Sequence, residues 1–254
     1  MTGLEIAAVL LAGIAAGTIN TVVGSGTLIT FPTLLALGVP PVTANVSNTV
    51  GLVPGSLSGA VGYRRELAGQ RSRLLRLASA SLLGGIAGAV LLLVLPASAF
   101  DAIVPVLIGI GVLLVILGPA IQRRVAARHE ARGGLPDHGA PWVWPAVAGA
   151  GVYGGYFGAA QGVLLMAILG IGVDDDLQRH NATKNVLALL VNAVAAVVFI
   201  VVADVDWPVA GLIAVGSVIG GQIGASVGRR LPAALLRAVI VVVCVAALVV
   251  FLRG

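Results

Sequence analysis

Two uninterrupted apolar runs, Ile103 to Ile121 and Val239 to Leu252, contain no charged residue and leave few folds open to this chain. Runs of that kind read as helices crossing a hydrocarbon core, whereas the strands of a membrane barrel alternate polar and apolar residues over about ten positions. The whole chain agrees: of 254 residues 59% are apolar and 10% charged, where a soluble domain carries about a quarter charged residues. Disorder needs the reverse, low hydrophobicity with high net charge. The 35 glycines follow no collagen period. The fold class is therefore an all-α polytopic membrane protein. Cys244 is the single cysteine and forms no intramolecular disulfide. Met1 to Ile6 hold no Lys or Arg, so the first segment is expected to be retained rather than removed as a secretory signal. The net charge is +5, but the arginines sit in short stretches between apolar segments. That placement marks membrane topology and gives no sign of a nucleic-acid partner.

Apolar runs fall into four segments, Leu4 to Gly38, Val42 to Tyr63, Leu74 to Leu95 and Ala102 to Ala120, and four more, Val143 to Val173, Asn181 to Ala203, Val209 to Gly228 and Ala233 to Leu252. Between the sets, Gln122 to Pro141 is the only sustained hydrophilic stretch. Shifting the sequence by 136 positions registers the halves without a gap. Gly26 and Leu28 fall on Gly162 and Leu164, Asn45 on Asn181, Ser81, Gly84, Gly85 and Gly88 on Ser217, Gly220, Gly221 and Gly224, and Pro96 on Pro232. A shared Pro, Asn and GG-xx-G at one offset indicates an internal duplication. The expected organisation is a first membrane repeat over 1–120, a polar cytoplasmic loop over 121–141 and a second repeat over 142–254.

Equivalent loops carry opposite charge. Arg64, Arg65, Arg71, Arg73 and Arg76 follow the second segment of repeat one, where repeat two has Asp204 and Asp206; after the third segment, Asp101 stands opposite Arg229, Arg230 and Arg237. If basic loops stay cytoplasmic the repeats are inverted, which requires an odd number of crossings in each. The first segment is the one that does not simply cross. As a straight helix Leu4 to Gly38 would be about 50 Å long against a core of about 30 Å, and Gly17, Asn20, Gly24, Ser25, Gly26 and Pro32 interrupt it. The expectation is two inverted repeats, each with a broken or re-entrant first helix followed by three transmembrane helices. Irregular backbone at membrane depth is tolerated where it is buried in protein or lines a polar cavity, so the break predicts a site.

The pattern Ala12-Gly13, Gly17, Asn20, Gly24-Ser25-Gly26-Thr27-Leu28-Ile29, Pro32, Leu34-Leu35, Gly38-Val39-Pro40-Pro41, Ala44-Asn45 and Tyr63-Arg64-Arg65 resembles the sulfite exporter TauE/SafE family of bacterial inner-membrane transporters. The resemblance covers nearly the whole chain, with a weaker second copy. The family usually has three glycines where this chain has Gly24-Ser25-Gly26, and the second copy reads Ala160-Gln161-Gly162. It implies a multi-pass inner-membrane protein that moves sulfur-containing anions such as sulfite or sulfonates.

The residues point to anions on their own terms. A broken helix presents free N–H groups and its positive dipole end at the break. There Gly24, Ser25 and Gly26 permit close approach, Ser25, Thr27, Asn20 and Thr21 add side-chain donors, and Gln161 and Gly162 occupy the equivalent break of the second repeat. Tyr153 and Tyr156 precede the second break, with hydroxyls suited either to an oxyanion or to the interfacial belt. A second constellation opens the helix after each break: Asn45, Ser47, Asn48 and Thr49 register on Asn181, Thr183, Lys184 and Asn185. Thr43 or Asn45 could cap that helix, which would not account for the rest. Lys184 is the only lysine, beside fourteen arginines. Buried, it would need a counter-charge, which a transported anion or one of Asp174, Asp175 and Asp176 would provide. Trp142, Trp144 and Trp207 read as belt residues. Gly216, Gly220, Gly224 and Gly228, with Gly84 and Gly88, form a close-packing face that joins either the two repeats or two protomers, leaving a homodimer open.

With the sulfur-anion class implied by the resemblance, the expectation is a secondary transporter of small sulfur-containing anions of the sulfite, sulfonate or sulfoacetate type, working by alternating access at a midplane site. No P-loop is present, and no cofactor or metal is expected. An anion channel or another membrane assembly is the alternative. An intramembrane serine hydrolase built on Ser25 is remote, because His129, His138 and His180 are badly placed as its general base.

Overall fold

A computed structural model describes residues 1–129, 139–226 and 238–244, with side chains undescribed over 121–129. Gly228, Arg229, Arg230 and Arg237 lie outside the described residues. Every named element is a helix: α1 (Gly3–Val22), α2 (Thr27–Ala36), α3 (Pro41–Gly62), α4 (Arg71–Val94), α5 (Ala97–His129), α6 (Val143–Tyr156), α7 (Gln161–Gly172), α8 (Leu177–Val202) and α9 (Trp207–Ser226), with a further helical turn at 238–244. Among the described residues α1, α4, α5, α8 and α9 are long and apolar enough to cross a membrane.

Local chemistry sets these boundaries. Thr2 and Glu5 form a reciprocal capping box at the start of α1. The helix stops where Gly24 adopts φ 89°, a left-handed conformation that side chains disfavour. In the second half Gly158, at φ 73°, does the same after α6. The first apolar segment of each half is thus broken in two, α1 from α2 and α6 from α7. Neither Thr43 nor Asn45 caps α3, which begins at Pro41 behind Pro40 without a side-chain cap. Pro at the first helical position removes one of the N–H groups a helix start leaves unsatisfied and is preset for helical φ. Helix α5 runs on to His129, further into the polar stretch than its composition implies.

The halves exchange partners. Helix α1 packs along α9 and α6 along α4, while α3 lies on α9, α4 on α8, and α3 and α8 on each other. The glycine face makes these crossings possible. A Cβ at Gly220 would stand 2.0 Å from the Ile14 carbonyl oxygen and one at Gly88 2.1 Å from that of Val152, so backbones meet directly. Gly216 and Gly224 face Leu10 and Thr18 of α1 in the same way. This stripe joins the two halves of one chain and is not free to join two protomers. Hydroxyls reinforce the seam: Thr18 donates to the Gly220 carbonyl at 3.1 Å, Ser217 to that of Gly51 at 3.1 Å and Ser58 to that of Val218 at 3.1 Å.

Candidate functional site

The two breaks touch. The Gly162 amide donates to the Gly24 carbonyl at 3.0 Å, and a Cβ on Gly162 would lie 2.3 Å from the Gly24 Cα. Helices α2 and α7 therefore start side by side at the centre of the seam. Ser25 and Gln161, equivalent under the 136-residue shift, stand at these starts, 0% and 3% exposed. Ser25 Oγ and Gln161 Nε2 have no hydrogen-bond partner among the described residues. An unpaired buried polar atom costs about 1–3 kcal/mol; the equivalent Asn45 and Asn181 carboxamide oxygens are unpartnered too, but those are acceptors, whereas Ser25 Oγ and Gln161 Nε2 are donors that an anion can use. Gly26 does something different from what its sequence context implies: the space beside it is filled by the Ala16 carbonyl oxygen, 2.5 Å from where a Cβ would stand. It packs α2 on α1.

Lys184 lies 0% exposed on α8 and donates to the carbonyls of Asn20 at 3.1 Å and Thr21 at 3.2 Å. Asn181 and Asn185 add amide donors to the same Thr21 carbonyl, each at 3.3 Å. These are the last-turn carbonyls of α1, which the break leaves without an intrahelical partner. Three side chains from the second half thus cap a helix of the first, with Lys184 at the negative end of its dipole. The counterpart on the other side is Asn45, whose amide donates to the Tyr156 carbonyl at the end of α6, 3.0 Å away. Asn48 binds its own half, donating to Thr27 Oγ1 at 3.3 Å and accepting from Thr30. Thr21 and Thr49 bond back into their own helices, to Gly17 and Asn45.

Ser47 and Thr183 do not reach the breaks. Ser47 Oγ accepts from the Asp206 amide at 2.8 Å, and Thr183 Oγ1 donates to Gln70 Oε1 at 2.8 Å. Each ties the second helix of one half to the head of the third helix of the other. The Tyr153 side chain lies against the Ala160 backbone. Tyr156 is buried with its hydroxyl unbonded, its ring beside Phe100 in a cluster where Phe31 meets Phe157 edge-on at 5.1 Å. Trp142 and Trp207 are exposed, and Trp144 Nε1 donates to Ser79.

Ser56 and Asn192, which were not among the residues expected at the breaks, are bonded to each other, and Ser56 also to Asn20. Asn192 Nδ2 donates to Ser56 Oγ at 3.2 Å, and Asn20 Nδ2 reaches the same oxygen at 3.4 Å. The pair stands 136 residues apart, so the two positions are equivalent and meet each other where α3 crosses α8. Asn45, Thr49 and Ser56 on α3 and Asn181, Asn185 and Asn192 on α8 follow one spacing along one helical face. That register, continued past the first turn, was the available signal.

Asp175, in the turn before α8, pairs with Arg73 and with Arg179, whose Nε is 2.6 Å from Oδ1. Lys184 is not its partner. Burial alone would raise the Asp175 carboxyl, but hydrogen bonds from Arg73 and the Asp176 amide, with the Arg73 and Arg179 charges, hold it below its ordinary value.

The chain is 26% identical over 229 residues to the "Probable membrane transporter protein YfcA" of Escherichia coli K12, covering 90% of this chain and 82% of the relative. It is 28% identical over 239 residues to the "Probable membrane transporter protein ORF9" of a Sinorhizobium species, with 91% and 86% covered. A "Probable membrane transporter protein" of Haemophilus influenzae is 24% identical over 244 residues, with 94% and 92% covered. No solved structure gives a significant match. The family model described as "Sulfite exporter TauE/SafE" matches residues 9–251. With helices of membrane-crossing length and relatives named as probable membrane transporters, this multi-pass membrane protein belongs to the sulfite exporter TauE/SafE family.

Proposed function

We propose that the chain is a secondary carrier of small sulfur-containing anions, of the sulfite, sulfonate or sulfoacetate type, in the bacterial inner membrane. The observation that carries this reading is the pair of unpartnered donors, Ser25 Oγ and Gln161 Nε2, buried at the abutting heads of α2 and α7. An oxyanion accepts hydrogen bonds from hydroxyl, amide and helix N-terminal N–H alike, and a helix start favours negative charge. The substrate binds here, with Asn20, Ser56 and Asn192 beside it on the seam. Saturable flux of sulfite or sulfoacetate into proteoliposomes, weakened by Gln161→Leu, is the test.

Alternating access is the mechanism, with the two halves oppositely oriented. The reciprocal helix pairing supports it, as do the matching ties Thr183–Gln70 and Ser47–Asp206. Such closures favour a carrier over a channel, because a carrier keeps at least one end shut. The inverted arrangement places the C-terminus in the periplasm. A C-terminal cysteine tag, in a Cys244→Ser background, is expected to react with a membrane-impermeant maleimide in intact cells; reaction only after lysis would sink the inverted arrangement.

A further inference from the structure

The two ends of the seam are alike in their hydroxyl ties and unlike in everything around them. Beside Thr183–Gln70 stand Arg73, Asp175 and Arg179. The 136-residue shift carries these to Val209, Val39 and Thr43 beside Ser47–Asp206, and the two valines belong to one apolar cluster. One end is closed by packing and the other by charge. At the charged end Asp175 is the only carboxylate bonded to both guanidiniums among the described ion pairs, linking α4 of the first half to the turn before α8 in the second. Arg179 also donates to the Ala68 carbonyl at 3.1 Å, binding that turn to the turn before α4.

A cavity of about 480 Å³ opens directly on this cluster, lined by Gln70, Ser72, Arg73, Asp174, Asp175 and Arg179. Arg73 is 7% exposed and its Nε has no hydrogen-bond partner. Both Arg73 and Arg179 line this cavity, and the planar guanidinium fork fits oxygens in pairs. We propose that this cluster is an oxyanion-operated latch, in which a sulfonate- or sulfate-like anion in the cavity takes the place of Asp175 on Arg73 and Arg179 and frees the turn before α8 from α4. The latch takes its anion class from the transport reading above and its geometry from the cluster alone. Displaced, Asp175 releases the turn before α8 while the anion holds the two guanidiniums in its place. Valine at the equivalent positions gives an anion nothing to displace, so the two ends answer differently to substrate.

The Asp176 amide reports the event, because it donates to Asp175 Oδ1 at 3.0 Å. Hydrogen exchange on the full chain in nanodiscs is expected to rise about tenfold at 173–179 in methanesulfonate or sulfate over chloride of equal ionic strength. Asp175→Asn raises it without anion. Arg179→Gln, at a partly exposed position, loses the anion response. An equal response to chloride would mean simple screening and would overturn the latch, as would no response to any oxyanion. Flux without the exchange response refutes the latch alone. The exchange response in a chain that moves no sulfur anion refutes the transport reading alone.

Discussion

Gly88→Leu and Gly220→Leu are each expected to abolish the folded protein. In both helices the new Cβ would stand about 2 Å from a carbonyl oxygen of the facing backbone, Val152 in one case and Ile14 in the other. No side chain can rotate away to relieve either contact, so two helices must separate along their length. Overpacking in a well-packed core costs about 1–3 kcal/mol when side chains can adjust, and here they cannot. The same helix supplies its control. A Cβ at Gly211 of α9 meets nothing within 4 Å, so Gly211→Ala is neutral or slightly stabilising through helix propensity. The yield of monodisperse protein in detergent and its thermal midpoint distinguish the three variants; a Gly220→Leu protein as stable as wild type would contradict the packing described here.

Lys184 gives the second large effect, and the direction depends on what replaces it. Lys184→Glu sets a carboxylate against the Asn20 and Thr21 carbonyls at the negative end of α1, in a position without solvent. Leaving a charge buried and uncompensated costs about 3–5 kcal/mol, enough to unfold a marginally stable membrane protein. Lys184→Met removes the donor while filling the space. Two terms then oppose each other: the relief from holding a polar group out of water, and the loss of a partner for the Asn20 carbonyl, worth about 1–3 kcal/mol. Asn181 and Asn185 still hold the Thr21 carbonyl, so the methionine protein folds. It transports poorly, because the same residue whose carbonyl is released, Asn20, presents its amide to Ser56. Flux is expected to fall about tenfold with normal detergent-extracted yield. Unchanged flux in Lys184→Met would separate the end of α1 from the site.

Much of this was legible in the sequence because the feature that gives it away is local. Gly24 to Gly26 interrupt a segment too long to cross once, and the chain breaks there, between Val22 and Thr27. The polar starts of α3 and α8 stood out against apolar surroundings, and Asn45, Asn181 and Lys184 all reach the end of the opposite half's broken helix. What each group faces was not legible. Lys184 finds backbone carbonyls, a counter-dipole that no search for acidic residues reveals. Arg73, one of several arginines that looked like topology signals, is buried on Asp175, 102 residues away. The glycine stripe could be read as a contact face, but its partner, α1, depends on how the halves dock. Ser56 and Asn192 were within reach of the 136-residue register and were passed over because an isolated polar residue in an apolar helix carries little signal alone.

If a sulfur-containing anion is carried past the abutting breaks, sided flux in proteoliposomes will show it. Labelled sulfoacetate or sulfite is followed into vesicles with and without unlabelled substrate inside, for wild type, Ser25→Ala and Gln161→Leu. A hydrogen bond to a charged ligand is worth about 1.5–3 kcal/mol, so each variant should raise KM about tenfold or more. Wild type is expected to show saturable uptake, accelerated by substrate on the far side, with weakened affinity in both variants. Uptake that never saturates and ignores internal substrate, or that is the same in all three proteins, would contradict it.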